Sequence, residues 1–254
     1  MSAQARPKVV GIIQARMGST RLPGKVLADI EGEPMLVRTF ERSRRASSLD
    51  DLVIATTDEN ADAPVAELCQ ERGYSCFRGH PTDVLDRYYQ AAKAVGAEVI
   101  VRITADCPLM DPEVVERTVK AFLEAHPEVD FAANRWPARR TYPIGLDVEV
   151  CSFEALERAW MEAPPGYARE HVMPYLYEVE GRFRVRVIDC EEDLGGLRWT
   201  VDTPEDLAFV REVYRAFRCR DDFSWREVLT LLERRPDLAA INADVPQKSF
   251  RAEG

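Results

Sequence analysis

The chain reads as an α/β protein built on a largely parallel sheet. Three observations carry that reading. Strand and helix signals alternate through the first half at intervals of about 20 to 30 residues, the pattern of βαβ crossovers. The first strand candidate, Val9–Gln14, is an apolar run rich in β-branched residues. The chain has 254 residues, 46% of them hydrophobic, enough to bury a substantial core.

The elements follow in order. After Val9–Gln14, residues 18–25 are rich in Gly, Ser, Thr and Pro and form a loop. Residues 34–46 place Met35, Leu36, Thr39 and Phe40 on one face of a helix. A strand over 52–57 precedes a helix over 61–72 closed by Gly73, and a short strand over 75–78 precedes a helix over 84–95 closed by Gly96. Residues 98–104 form the third clear strand and lead into the turn Ala105-Asp106-Cys107-Pro108. Proline then opens a helix over Pro112–Ala125. The middle is less regular, with strands expected over 130–134, 147–151 and 183–190 between Pro- and Gly-rich turns. A late strand over 197–201 runs into Asp202-Thr203-Pro204-Glu205-Asp206, where Thr203 caps and Pro204 opens a helix over 205–217. A further amphipathic helix covers 224–234. With no repeat or linker visible, residues 1–254 read as one domain carrying an insertion at about 130–190.

Composition excludes several classes of function. A formal net charge of −10 argues against a nucleic-acid partner, whose protein footprint is basic. No run of about 18 apolar residues is present, so no membrane-spanning helix is expected. The polar start followed by a short apolar run does not resemble a secretory signal, which points to a cytoplasmic protein. Six cysteines without a C-x-x-C pair read as reduced thiols, and His80, His126 and His171 stand at no zinc-ligand spacing with them.

The most informative segment runs from Gln14 to Lys25. It leaves a strand and holds Gln14, Ala15, Arg16, Gly18, Ser19, Arg21 and Lys25, a set suited to a chain of phosphates. Glycine lets backbone N–H groups approach phosphate oxygens, and the three cations neutralise them. Five residues separate Gly18 from Gly24 and Val26 follows Lys25, so this is not a P-loop. A surface loop with solvated arginines is the competing reading. Parallel sheets bind ligands beyond the carboxyl ends of their strands. That places Asp106, just past 98–104, and Asp202, just past 197–201, as candidates to face one cleft. A turn residue and a helix cap are their respective alternatives.

Read in order, the motifs resemble the sugar cytidylyltransferases, closest to their spore-coat polysaccharide branch and related to the acylneuraminate and CMP-Kdo enzymes. The resemblance rests on IIQARMGSTRLPGKVL from Ile12, FRGHPTDVLDRYYQAA from Phe77, IVRITADCPLMDP from Ile100, RTYPIGLDVEVCSFEAL from Arg140, REHVMPY from Arg169 and LRWTVDTPEDL from Leu197. It covers nearly the whole chain. It implies a Rossmann-like nucleotidyltransferase (GT-A-like) fold, a mostly parallel mixed sheet flanked by helices with a β-rich insertion, in a homodimer. It also implies transfer of CMP from CTP to an acidic sugar, with pyrophosphate released and magnesium held by Asp106 and Asp202. Arg16 and Lys25 join those two aspartates as the catalytic set. Arg78, Asp83 and Arg87 fall in a stretch expected to contact nucleotide, although Asp83 also reads as a helix cap. Arg140, Tyr142, Asp147, Glu149, Arg169, Glu170 and His171 are expected on the acceptor side, where an arginine can clamp a sugar carboxylate; a dimer-interface network is the alternative. Three positions depart from the pattern: Ala105 for glycine, Ile144 for aspartate and His80 for serine. Two rival activities share much of this chemistry. One is a sugar-1-phosphate nucleotidyltransferase using another NTP. The other is a metal-dependent glycosyltransferase, for which Asp147-Val148-Glu149 is the nearest approach to a D-x-D pair.

Overall fold

The computed structural model describes residues 6–137 and 139–247. Its strands are β1 (Val9–Gln14), β2 (Asp29–Ile30), β3 (Glu33–Pro34), β4 (Asp51–Thr57), β5 (Ser75–Gly79), β6 (Val99–Thr104), β7 (Phe131–Ala133), β8 (Glu149–Ser152) and β9 (Val185–Val187). Its α-helices are α1 (Met35–Ser43), α2 (Ala63–Arg72), α3 (Val84–Ala94), α4 (Pro112–Ala125), α5 (Phe153–Glu162), α6 (Tyr167–His171), α7 (Pro174–Tyr177), α8 (Pro204–Ala216), α9 (Trp225–Arg234) and α10 (Pro236–Ala239).

Seven strands form one sheet in the order β5-β4-β1-β6-β8-β7-β9, and β2 with β3 makes a separate small hairpin. Strands β5, β4, β1 and β6 are parallel; β8 runs against both β6 and β7, and β9 is parallel to β7. The expected mixed, mostly parallel sheet is therefore present. The central strands β1, β4 and β6 are predominantly apolar because both their faces are covered, whereas the edge strand β5 is polar and largely exposed. Along β1, Val9 and Ile13 enter one core with Leu36 and Phe40 of α1, Val115 and Val119 of α4, and Val210 and Val213 of α8. Val10 and Ile12 enter the opposite core with Leu85 and Tyr88 of α3 and Leu156 of α5.

The later chain differs in detail from the sequence reading. The 130–190 stretch contributes three strands to the same sheet, and α5, α6 and α7 lie within it. Ser152 caps α5 through the Ala155 amide, a start signal present in the sequence and overlooked there. The expected strand over 197–201 is not a ladder strand. Trp199 and Val201 are buried, but the segment pairs only through a bridge between Ile144 and Arg198. Gly145 makes that approach possible: its φ is +108°, and a Cβ there would lie 2.6 Å from the Thr200 nitrogen.

The C-terminal helices are tied to α1 by buried guanidiniums. Arg42 donates to the carbonyls of Met110, Asp221 and Phe223 at 2.8, 2.7 and 2.9 Å, and lies 3.8 Å from an Asp111 oxygen. Replacing it with methionine keeps an unbranched apolar stem but leaves the buried Met110 and Phe223 carbonyls without their side-chain donor and removes the counter-charge of Asp111, which keeps only the Trp225 and Glu113 amides. Arg42→Met is expected to lower unfolding free energy by about 3 to 5 kcal/mol in urea denaturation. A loss below about 1 kcal/mol would show that the C-terminal helices dock by other means.

Candidate active site

The register of the central strands builds the site. Gln14 at the end of β1 lies opposite Thr104 at the end of β6, so the loops leaving both strands emerge side by side. The 197–201 segment is drawn to the same place, because the Val201 amide and the Thr200 hydroxyl both donate to the Asp106 carbonyl, at 2.9 and 3.2 Å. Between these segments lies a cleft of about 360 Å³.

At its centre, the Lys25 ammonium donates to Asp106 Oδ2, Asp202 Oδ1 and the Val201 carbonyl, each at 2.8 Å. Both carboxylate oxygens touch one nitrogen, so they are less than about 6 Å apart, close enough for the two groups to engage one small cation. The loop that delivers Lys25 is folded on itself. The Gly24 amide donates to the Met17 carbonyl at 3.0 Å, the Lys25 amide to the Leu22 carbonyl at 3.1 Å, and Gly24 takes the left-handed φ of +71° that glycine accommodates. Asp62 anchors the loop's start by accepting from the Met17 amide at 2.5 Å.

Asp202 is held from behind. Arg21 and Arg198 reach its Oδ2 at 2.9 and 2.8 Å. Arg198 also grips both oxygens of the fully buried Asp206, which accepts from the Asp202 and Thr203 amides. Asn242 and Gln247 complete this arrangement by bonding Asp206 and Arg198. Burial opposes charge on both Lys25 and Asp202, but their mutual attraction prevails. Desolvation pulls the Lys25 pKa down, yet Asp106 and Asp202 raise it above its ordinary value. Desolvation pushes Asp202 up, yet Lys25, Arg198 and Arg21 hold it below the usual carboxylate range. Burial pushes the Cys107 thiol up, so it stays protonated at neutral pH beside Asp106 and Thr104.

Of the residues chosen from sequence, Gln14, Ala15, Arg16, Gly18, Ser19, Arg21, Lys25, Arg87, Asp106, Asp147, Glu170, His171 and Asp202 all line this cleft. Others lie outside it. Arg78 donates to the carbonyls of Thr57 and Glu59, and Asp83 caps α3 through the Asp86 amide. Arg169 pairs with Asp83 at 2.6 Å, which ties two of the motifs together away from the lining. Arg140 pairs with Asp147 through both of its terminal nitrogens. Tyr142 is buried beside Trp225 in the core. Glu149 is only 2% exposed and lies beneath the cleft, paired with Arg102 and Arg135, which do line it. Arg102, Arg135, Thr200 and Gln247 are lining residues that the sequence reading missed. A signal existed for the first: an arginine inside the apolar run of β6 needs a buried partner, and Glu149 on the neighbouring strand is opposite it in register.

A sheet with β8 reversed among parallel neighbours, opening at its carboxyl end onto a glycine-rich basic loop and two carboxylates, is suited to hold a phosphate-bearing ligand beside a cation. The solved structure of a cytidylyltransferase from Leptospira borgpetersenii superposes with a TM-score of 0.88 at 32% identity, covering 96% of this chain and 100% of that one. The spore coat polysaccharide biosynthesis protein SpsF of Bacillus subtilis is 34% identical over 91% of this chain and 96% of its own length. A 3-deoxy-manno-octulosonate cytidylyltransferase of Zea mays is 30% identical over 83% of this chain and 82% of its own. The profile of the cytidylyltransferase family matches residues 10–234, and the chain belongs to that family.

The depressed pKa of Asp202 has a consequence for acid stability. Its contribution is complete above the unfolded carboxylate value, near 3.9, and is lost as pH falls through the lower folded value. Wild-type protein is expected to be more stable than Asp202→Asn at pH 7, with the two curves converging as pH drops below about 4. An unchanged gap down to about pH 2 would contradict the assignment.

Proposed function

We propose that the protein is a magnesium-dependent enzyme that transfers CMP from CTP to the hydroxyl of an acidic sugar and releases pyrophosphate. The observation that carries this reading is the shared contact of Lys25 with Asp106 and Asp202, set directly beside the basic loop. Arg16, Arg21 and the amides around Gly18 are suited to hold the triphosphate and to balance charge as pyrophosphate departs. Asp106 and Asp202 fit a magnesium ion, which favours few protein carboxylates and fills its shell with water and phosphate oxygens. When bound there, the ion supplies charge stabilisation at the α-phosphate and makes the attacking hydroxyl more acidic. The donor set agrees: two carboxylates already face one cation, and Arg21 and Arg198 fix the direction of Asp202.

The acceptor occupies the side of the cleft lined by Arg102, Arg135, Asp147, Glu170 and His171. The names of the maize relative and of the Bacillus protein support an acidic sugar destined for a polysaccharide. The usual assembly of the enzymes this chain resembles supports a homodimer. Six cysteines without a disulfide support a reducing, cytoplasmic setting. None of the described helices is long and apolar enough to cross a membrane.

Pyrophosphate release should be measured with magnesium, each of CTP, UTP, GTP and ATP, and a panel of sugar acids beside their sugar 1-phosphates. CTP with a sugar acid is expected to react, and mass spectrometry should find a CMP-sugar. Asp106→Asn should keep the fold and lower turnover by about 100-fold or more, the scale of a lost charge-stabilising group. A nucleoside diphosphate-sugar formed from a sugar 1-phosphate would contradict the proposal.

A further inference from the structure

Lys25 is saturated. Its three ammonium protons meet three acceptors at 2.8 Å, namely Asp106, Asp202 and the Val201 carbonyl. Held this way, it has no proton left for a phosphate oxygen. It also stands between the two carboxylates, where a divalent cation would have to enter. We infer that Lys25 is the resident counter-ion of the Asp106–Asp202 pair, displaced by the divalent cation and received by the nucleotide's phosphates, so that cation and nucleotide bind as a cooperative unit. This rests on the reading of Asp106 and Asp202 as the cation's ligands.

The surroundings favour an exchange in which the lysine moves and the carboxylates stay. The Asp106 backbone is bonded to Val201 and Thr200. Asp202 keeps Arg21 and Arg198 on Oδ2 after Lys25 leaves Oδ1. The Lys25 backbone is pinned by the Gly24–Met17 and Lys25–Leu22 hydrogen bonds, but its flexible four-carbon stem can turn without disturbing them. Arg16 and Arg21 line the same cleft, so a polyanion seated by the loop lies within the field that would receive the ammonium. Two like-charged carboxylates this close need a cation between them at every stage, and the exchange provides one before and after substrate arrives. A cation alone must expel Lys25 into water, with no anion to replace its two carboxylate partners, so it binds weakly; phosphates supply that anion. Linkage then requires that each ligand strengthens the other.

The test is Mn²⁺ binding to nucleotide-free protein, read from the free-ion electron paramagnetic resonance signal. Lys25→Met and Lys25→Gln are compared with wild type, and both are first checked for a native circular dichroism spectrum; the glutamine variant keeps a neutral donor to the buried acceptors and serves as the second variant. Each variant is expected to bind Mn²⁺ at least about tenfold more tightly than wild type, within the ordinary range of a coupling between two ligands. Adding Asp106→Asn should remove that gain, locating the ion on the carboxylate pair. Affinity no higher in the lysine variants overturns the inference, as does a gain that survives Asp106→Asn. The metal reading fails separately, and takes the inference with it, if Mn²⁺ binding to wild type in the presence of CTP is indifferent to Asp106→Asn and Asp202→Asn.

Discussion

The structure turns on two carboxylates brought together from opposite halves of the chain and reconciled by one lysine. Asp106 and Asp202 would repel each other in a partly buried cleft, and Lys25 from a third segment makes the arrangement tenable. Much of the local architecture serves that meeting. Parallel pairing of β1 with β6 brings the Lys25 loop to the Asp106 turn. Gly145 lets the 197–201 segment lie close against the chain at Ile144. Arg198 and Asp206, themselves bonded to Gln247 and Asn242, then hold Asp202 in place.

That backing explains why the C-terminal part of the chain belongs to the site without supplying the groups at its centre. A buried ionic network is weak evidence of stability, since desolvation offsets much of its Coulomb energy. Its value here is direction. Arg198 contacts Asp206 and Asp202 together, so the carboxylate facing the cleft cannot rotate freely. The Arg102–Glu149–Arg135 group does the same elsewhere in the cleft, where a buried glutamate beneath the lining orients two arginines that belong to it.

The first half of the fold was legible because its central strands β1, β4 and β6 are buried on both faces and therefore predominantly apolar, with glycine closing α2 at Gly73 and following α3 at Gly96. The later half was less so. Residues 197–201 carry the composition of a strand, but burial alone produced it; their hydrogen bonds go to the Ile144 loop and to Asp106. Among site residues, the glycine-rich loop and the two aspartates were visible through chemistry concentrated at strand ends. Arg140 and Arg169 looked like carboxylate clamps because sequence shows an arginine but not its partner; Asp147 and Asp83 already occupy them. Tyr142 shares a motif with cleft residues, yet its ring packs in the core. Arg102 was passed over as part of a strand, although a charge in an apolar run is itself the anomaly to pursue.

The central claim is that the Lys25–Asp106–Asp202 cluster is where nucleotide and cation meet. A crystal structure grown with Mn²⁺ and a non-hydrolysable CTP analogue, with the metal located by anomalous scattering, tests it most directly. The account predicts one manganese peak between Asp106 and Asp202, the phosphates against the 16–25 loop and the Lys25 ammonium turned onto a phosphate oxygen. A nucleotide seated away from that loop, or a metal elsewhere while Lys25 still bridges the two aspartates, would contradict it.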